Sequence, residues 1–206
     1  MIAASPKSLK LAIDESKLTW KMSFLKHSVP SPKLYGYSKD GKWVVVNTPE
    51  HKHKQVIVKE LYGCCGKNIN VMTWEDALQH ASREDNVIVE EYKVIKPATH
   101  YRVTTLCVRS KTVALQTLRI RDEHSEITSN HGTVKTTNRE LKIQSSLLRL
   151  HELEFPYTFS ISWDVIVDDT GNEYALEGNV PGALCWKMNC KEIHDVYMYW
   201  VRQSLK

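Results

Sequence analysis

The chain contains no apolar run approaching membrane-spanning length, and no leader-type segment precedes its first charged residues. Those absences argue against a helical membrane span and lead to the expectation of a cytoplasmic protein. Cysteine is sparse: Cys64, Cys65, Cys107, Cys185 and Cys190 form no C-x-x-C pair. An odd number without that spacing argues against a disulfide framework and a zinc site, and fits a reducing compartment. The G-x-x-x-x-G-K-[ST] signature is absent, so this is not a P-loop protein. Repeats and low-complexity tracts are also lacking. The charge excess is small, with 28 basic against 24 acidic residues and a net charge of +4. No basic stripe interleaves with aromatics, so nucleic acid is an unlikely partner. The densest basic cluster, His51-Lys52-His53-Lys54, reads as a solvated loop.

What remains is ordinary globular composition, 42% hydrophobic and 25% charged over 206 residues. A chain of this size buries roughly 70% of its unfolded surface and needs no staples. Leu18, Met22 and Leu25 recur at helical spacing over 16–27, and the Val29-Pro30-Ser31-Pro32 run stops that helix. Strand patterns follow at 43–46 and 55–59. Thr73 is a good N-cap for a helix whose first turn carries Glu75 and Asp76. Segment 87–92 reads as a short buried strand, and 101–108 with 113–119 as a strand pair. Residues 122–138 are polar and read as a mobile surface loop. A helix over 141–150 has Ile143, Leu147, Leu148 and Leu150 on its apolar side, and an amphipathic helix over 193–205 closes the chain. Helices and strands mix without strict alternation, so the expected class is α+β.

The most informative stretch is 160–179. Val165, Ile166 and Val167 give way to Asp168-Asp169-Thr170-Gly171-Asn172, a cluster suited to reversing the backbone, and a second strand returns. Such a hairpin brings Asp164 near Glu177 and Asn179, which lie two apart and leave the same face of the sheet. Two carboxylates and an amide oxygen make a hard oxygen site suited to Mg²⁺. The alternative is a solvated acidic hairpin, but Glu177 follows Tyr174-Ala175-Leu176 in a half-buried pattern where an unpaired carboxylate would be costly.

Other parts fit an anionic ligand. Lys59 ends an apolar strand, and Gly63-Cys64-Cys65-Gly66-Lys67 follows it, a cation beside a glycine loop whose backbone N–H groups are accessible. Val87-Ile88-Val89 runs into Glu90, Glu91 and Tyr92, which either contact a base and ribose or end a strand in solvent. Arg102, Arg119 and Arg121 lie in the central strand region, as anion clamps or as salt-bridge partners; Arg102 and Arg119 sit within apolar strand patterns.

In this order the parts resemble the ATP-grasp superfamily over roughly residues 16–182. Ser16-Lys17 and the exit Ser28-Val29-Pro30 resemble its lysine helix and gly-hydrophobic-pro turn, with Ser28 at the glycine position. The wording Ser162-Trp163-Asp164-Val165 with Leu176-Glu177-Gly178-Asn179, and Tyr101-Arg102-Val103-Thr104-Thr105-Leu106, is similar to the sugar-transfer-associated (glycan-cluster) branch.

The resemblance implies an α+β ATP-grasp fold with two lobes, 16–91 and 92–206, after a lead-in over 1–15. It implies an ATP- and Mg²⁺-dependent ligase, with Mn²⁺ as an alternative metal, joining a small-molecule carboxylate to an amine or glycan-related substrate through an acyl phosphate. The alternatives are an ATP-grasp small-molecule kinase and a non-catalytic nucleotide-binding module. Lys17 and Lys59 would hold phosphates, and Gly63, Gly66 and Lys67 would belong to the loop over them. Glu90, Glu91 and Tyr92 would line the adenine pocket above an apolar floor at Leu176. Asp164, Glu177 and Asn179 would hold the metal, and Arg102 or Arg119 would stabilise the acyl phosphate.

Two departures stand out. Family ligases usually carry a further domain before the lysine helix, where about sixteen residues stand here, so the expectation is either a minimal enzyme or one completed by a homodimer mate or partner protein. Some ligases of the family also carry an arginine two residues before the magnesium aspartate, the position of Ser162 here.

Overall fold

The computed structural model describes residues 16–63, 68–108, 111–119, 134–136, 140–156, 158, 160–180, 198 and 202, with backbone alone at 95–99, 108, 111, 113, 115–119 and 134–136. The lead-in over 1–15 lies outside them, as does the closing helix over 193–205 except for Met198 and Arg202, which are helical. Three helices are described: α1 (Lys17–Lys26), α2 (Trp74–Arg83) and α3 (Gln144–Glu154). The strands are β1 (Leu34–Lys39), β2 (Lys42–Val45), β3 (Gln55–Glu60), β4 (Ile69–Thr73), β5 (Val87–Glu91), β6 (Ile95–Val108), β7 (Lys111–Arg119), β8 (Val134–Thr136), β9 (Ser160–Asp168) and β10 (Glu173–Asn179). They form two five-stranded antiparallel sheets ordered β2-β1-β5-β3-β4 and β10-β9-β6-β7-β8. The class is α+β, as expected. Among the described residues no helix is long and apolar enough to cross a membrane.

Three strands were not expected. β1 is an interior strand of its sheet, between β2 and β5, with Leu34 and Tyr35 buried, but its pattern follows immediately on the Pro30 and Pro32 stop signals. β4 is a half-exposed edge strand with a weak pattern of its own. β8 falls within 122–138, the stretch read as a loop; it is held by backbone pairing of Thr117 to Thr136 through Arg119 to Val134. Backbone pairing of this kind leaves little trace in composition.

Helix α1 also turns a different face inward. Met22 and Leu25 are exposed, while Trp20, Lys21, Ser23 and Phe24 are buried. Aromatic packing decides this: Trp20 meets Trp163 edge-on at 5.4 Å and Phe155 at 5.5 Å, and Phe24 lies 6.0 Å from Trp163. Large rings bury more area than the Met and Leu positions would, and their edge-to-face contacts add to it.

The helix is capped at both ends. The Ser16 hydroxyl accepts from the Thr19 N–H. At the exit, Val29 N–H donates to Phe24 carbonyl (2.9 Å) and Ser28 N–H to Leu25 carbonyl (3.3 Å), with Ser28 in the left-handed region at φ 55°. This is a Schellman arrangement, normally completed by glycine. Ser28 thus takes the left-handed conformation that glycine usually supplies at this position. The same helix touches both sheets. Leu18 packs on the cluster Leu34, Leu61 and Ile88, whereas Trp20 and Phe24 join the larger core with Tyr101, Val103, Leu147, Leu150, Trp163 and Val165.

One polar network lies inside that larger core. Trp163 Nε1 donates to Thr105 Oγ1 (2.8 Å), the Thr105 hydroxyl donates to His151 Nδ1 (2.7 Å), and His151 Nε2–H donates to the Thr158 carbonyl (2.7 Å). The indole can only donate and the carbonyl can only accept, so the neutral tautomer is fixed. Burial pushes the His151 pKa down from 6.5 to about 4, outweighing the Thr158 bond. Between those values the unfolded chain binds the proton and the folded chain does not, so the stabilisation is complete above pH 6.5 and falls as pH drops toward 4. Chemical denaturation followed from pH 7 to pH 4 should show a loss of about 3 kcal/mol from this group, and His151→Gln should flatten that part of the profile. Packing gives a second expectation. A Cβ at Gly178 would sit 3.0 Å from ring atoms of Trp20 and Trp163, so Gly178→Ala should cost about 1–3 kcal/mol in urea unfolding.

Candidate functional site

Each side of the second sheet has its own chemistry. Tyr101, Val103, Trp163, Val165 and Ala175 face the core under α1 and α3. Side-chain alternation sends Arg102, Thr104, Ser162 and Asp164 to the other face. Two rungs form there, Arg102–Asp164–Glu177 and Thr104–Ser162–Asn179, each in direct cross-strand register. A β-bulge makes this possible. Ala175 pairs with Val165 but Glu177 pairs with Asp164, so Leu176 is the extra residue. Without the bulge Glu177 would keep the parity of Ala175 and point into the core. The turn joining the strands is held by Asp168, which accepts from Thr170 N–H (3.0 Å), Thr170 Oγ1 (2.7 Å) and Asn172 N–H (2.8 Å). Gly171 supplies a φ of 90°.

On the first rung Arg102 Nε and Nη2 donate to the two Asp164 oxygens, each at 2.9 Å, in a buried bidentate fork. Asn179 Nδ2 donates to the Ser162 carbonyl at 3.3 Å and to Asp164 Oδ2 at 3.4 Å. Ser162 is fully buried and hydrogen-bonds Thr104 at 3.0 Å. Lys17, at the start of α1, reaches Glu177 at 3.9 Å and donates to the Gly63 carbonyl. Burial and then the neighbouring Asp164 push the Glu177 carboxyl up, against the pull of Lys17, Lys59 and Arg102. Among the described residues no three His, Cys, Asp or Glu side chains converge. A cation here would therefore rest on two carboxylates, the Asn179 amide and non-protein oxygens.

Lys59 approaches from β3. Its ammonium donates to Glu90 Oε2 at 2.7 Å, and Lys21 meets Glu90 Oε1 at 2.6 Å while also donating to the Pro32 carbonyl. Burial alone would raise the Glu90 carboxyl, but the charges and hydrogen bonds of Lys21 and Lys59 hold it at about 2. Burial pulls the Lys21 ammonium down further than Glu90 raises it. Glu91 turns elsewhere, to Lys93 (3.0 Å) and the Lys33 N–H (3.3 Å). Tyr92 and Leu176 are half-buried.

The structure thus gathers Lys17, Lys59, Gly63, Arg102, Asp164, Glu177 and Asn179 around one polar face. Glu90 stands behind Lys59, and both its oxygens are already engaged by lysines. Arg119 pairs with His100 through the backbone, while its side chain lies outside the described residues, as do Gly66, Lys67, Arg121, Pro181 and Gly182. Sequence reading missed Lys21. Its signal was present: Lys17, Lys21 and Phe24 are spaced i, i+4, i+7, and Glu90 on a buried strand required a cation.

No protein-family model matches the chain, and no curated protein matches it in sequence. Solved structures do. An L-amino acid ligase from Bacillus licheniformis aligns at TM-score 0.58 and 11% identity over 84% of this chain and 41% of that one. The D-alanine–D-alanine ligase from Bacillus anthracis complexed with ATP gives 0.59 and 14%, over 93% and 62%. The biotin carboxylase domain of Hydrogenobacter thermophilus 2-oxoglutarate carboxylase, in complex with MgADP, ADP and bicarbonate, gives 0.62 and 17%, over 84% and 41%. The chain spans about half the length of these structures. At this identity the likeness establishes the architecture: the chain has the ATP-grasp fold.

Proposed function

We propose that the chain is an ATP-dependent ligase, which activates a small-molecule carboxylate as an acyl phosphate, joins it to an amine or glycan-related nucleophile, and releases ADP and phosphate. The observation that carries this reading is the convergence of Lys17 and Lys59 on the rung Arg102–Asp164–Glu177. Two lysines facing two carboxylates suit a ligand that is polyanionic and itself carries a divalent cation. The Glu177 carboxyl is raised first by burial and then by Asp164; Mg²⁺, or Mn²⁺, with oxygen ligands would favour its ionised form. Asp164, Glu177 and Asn179 would hold the cation, which when bound supplies charge stabilisation for the transferred phosphoryl oxygens.

In this reading Lys17 and Lys59 bind phosphates beneath the loop carrying Gly63, Gly66 and Lys67. Adenine lies beside Glu91 and Tyr92, with Leu176 as its apolar floor. Glu90 contributes through Lys59. Arg102, or Arg119 on β7, would stabilise the acyl phosphate, with positioning and electrostatics providing most of the rate enhancement. Segments 16–91 and 92–206 would be the two lobes of one cytoplasmic enzyme. The likeness to amino-acid and D-alanine ligases supports carboxylate chemistry. The wording around Trp163 and Glu177 supports the glycan-cluster branch.

Calorimetry with MgATP tests the site. Asp164→Asn combined with Glu177→Gln should weaken magnesium-dependent ATP binding at least tenfold; unchanged binding would sink the metal assignment. Activity with candidate acids and amines should release phosphate only when both substrates are present, whereas transfer to one acceptor without free phosphate would identify a kinase. A metal-only readout is also available. Because the folded Glu177 carboxyl is raised, its ionisation costs stability as pH rises. Glu177→Gln should therefore raise the metal-free melting temperature at neutral pH and abolish the stabilisation given by added magnesium.

A further inference from the structure

Lys21 lies outside the set that faces the polar rung, yet it is fully buried. Resting on the nucleotide reading above, we propose that Lys21 is a positioning residue that acts through Glu90 to present a positively charged Lys59 to the nucleotide phosphates. Glu90 is 3% exposed and binds one lysine on each oxygen, at 2.6 and 2.7 Å. The carboxylate fixes the end of a four-carbon side chain that would otherwise sample many rotamers. Fixation by a carboxylate alone would have a drawback. A lone Lys59–Glu90 pair is neutral and offers no net attraction to phosphate. Lys21 supplies the second cation, so two ammonium groups share one carboxylate and a net positive charge remains.

The anchoring of Lys21 supports this role. Its ammonium also donates to the Pro32 carbonyl, so it is held from α1 on one side and from the segment leading to β1 on the other. Lys59, by contrast, retains some exposure at 7% and feels Glu177 across the site. The inner lysine balances the charge, and the outer one meets the ligand.

The test compares dissociation constants for MgADP and for adenosine, which has no phosphates. Lys21→Met should weaken MgADP binding at least tenfold while adenosine changes less than twofold. Adding Glu90→Gln to Lys21→Met should recover part of the MgADP affinity, because nothing then neutralises Lys59. Lys21→Gln, which keeps a hydrogen-bond donor near Glu90 without the charge, should behave as Lys21→Met does. Unchanged MgADP affinity, an equal loss for both ligands, no recovery in the double variant, or failure of both single variants to fold would each overturn the proposal. A wild-type chain that binds neither MgADP nor adenosine would overturn the nucleotide reading itself, and this inference with it.

Discussion

A carboxylate buried in the middle of a sheet is the constraint around which this structure is arranged. Glu90 sits on β5 between β1 and β3, where water cannot solvate it. An isolated charge there would be prohibitive, so it must be neutral or paired. Two lysines pair it, one from α1 and one from β3. Buried ion pairs seldom add much net stability, because desolvation offsets their attraction, but removing one partner leaves a costly charge behind. Their effect is to fix geometry. Glu90 holds Lys21 of α1 and the lysine that the end of β3 delivers.

The placement of α1 follows from that constraint together with the aromatic core. Trp20 and Phe24 bind the helix to the second sheet, Leu18 packs against the first, and Lys17 N–H donates to the Leu61 carbonyl at the end of β3. After the Schellman turn the chain continues the same bridging, since Ala175 N–H donates to the Pro30 carbonyl and Glu91 N–H to the Lys33 carbonyl. One helix and its exit therefore carry Lys17 to the rung on the second sheet and Lys21 to the interior of the first. A four-residue offset on a helix keeps both lysines on one side.

Much of this arrangement was legible in the sequence, and the exceptions have physical causes. Thr73 caps α2 through the Asp76 N–H as its residue type suggested. The turn from Asp168 to Asn172 forms because its side chains bond locally, so no distant part of the chain is needed. Lys21 was easily passed over because a lysine in a helical pattern is ordinarily counted as polar, and its partner lies 69 positions away in sequence on β5. The bulge at Leu176 was invisible for another reason. Nothing in Ala175-Leu176-Glu177 states that two residues will oppose one; beyond it Gly178 lies against Trp20 and Trp163, where a Cβ would crowd the rings. The α1 face was misread because periodicity treats Met22 and Leu25 like any apolar residues, whereas ring packing on Trp163 decides burial.

The rung across β6, β9 and β10 joins two roles in one carboxylate. Asp164 receives a guanidinium fork from Arg102 and also stands opposite Glu177. These roles are compatible, because a carboxylate offers about four acceptor sites and the fork occupies one on each oxygen. They are also coupled. The fork fixes the plane of the Asp164 carboxylate, so it fixes the direction from which a cation can be met. A cation drawing on Asp164 would weaken the charge that holds Arg102, leaving that guanidinium better able to meet an anion forming nearby. Ser162 fits the same logic. Its hydroxyl, buried against Thr104, keeps the second rung neutral, so the positive charge on this face of the sheet is concentrated beside Asp164 and Glu177 and not two residues away. A fold with an arginine at that position would place its cation there; this chain places it across the strand, at Arg102.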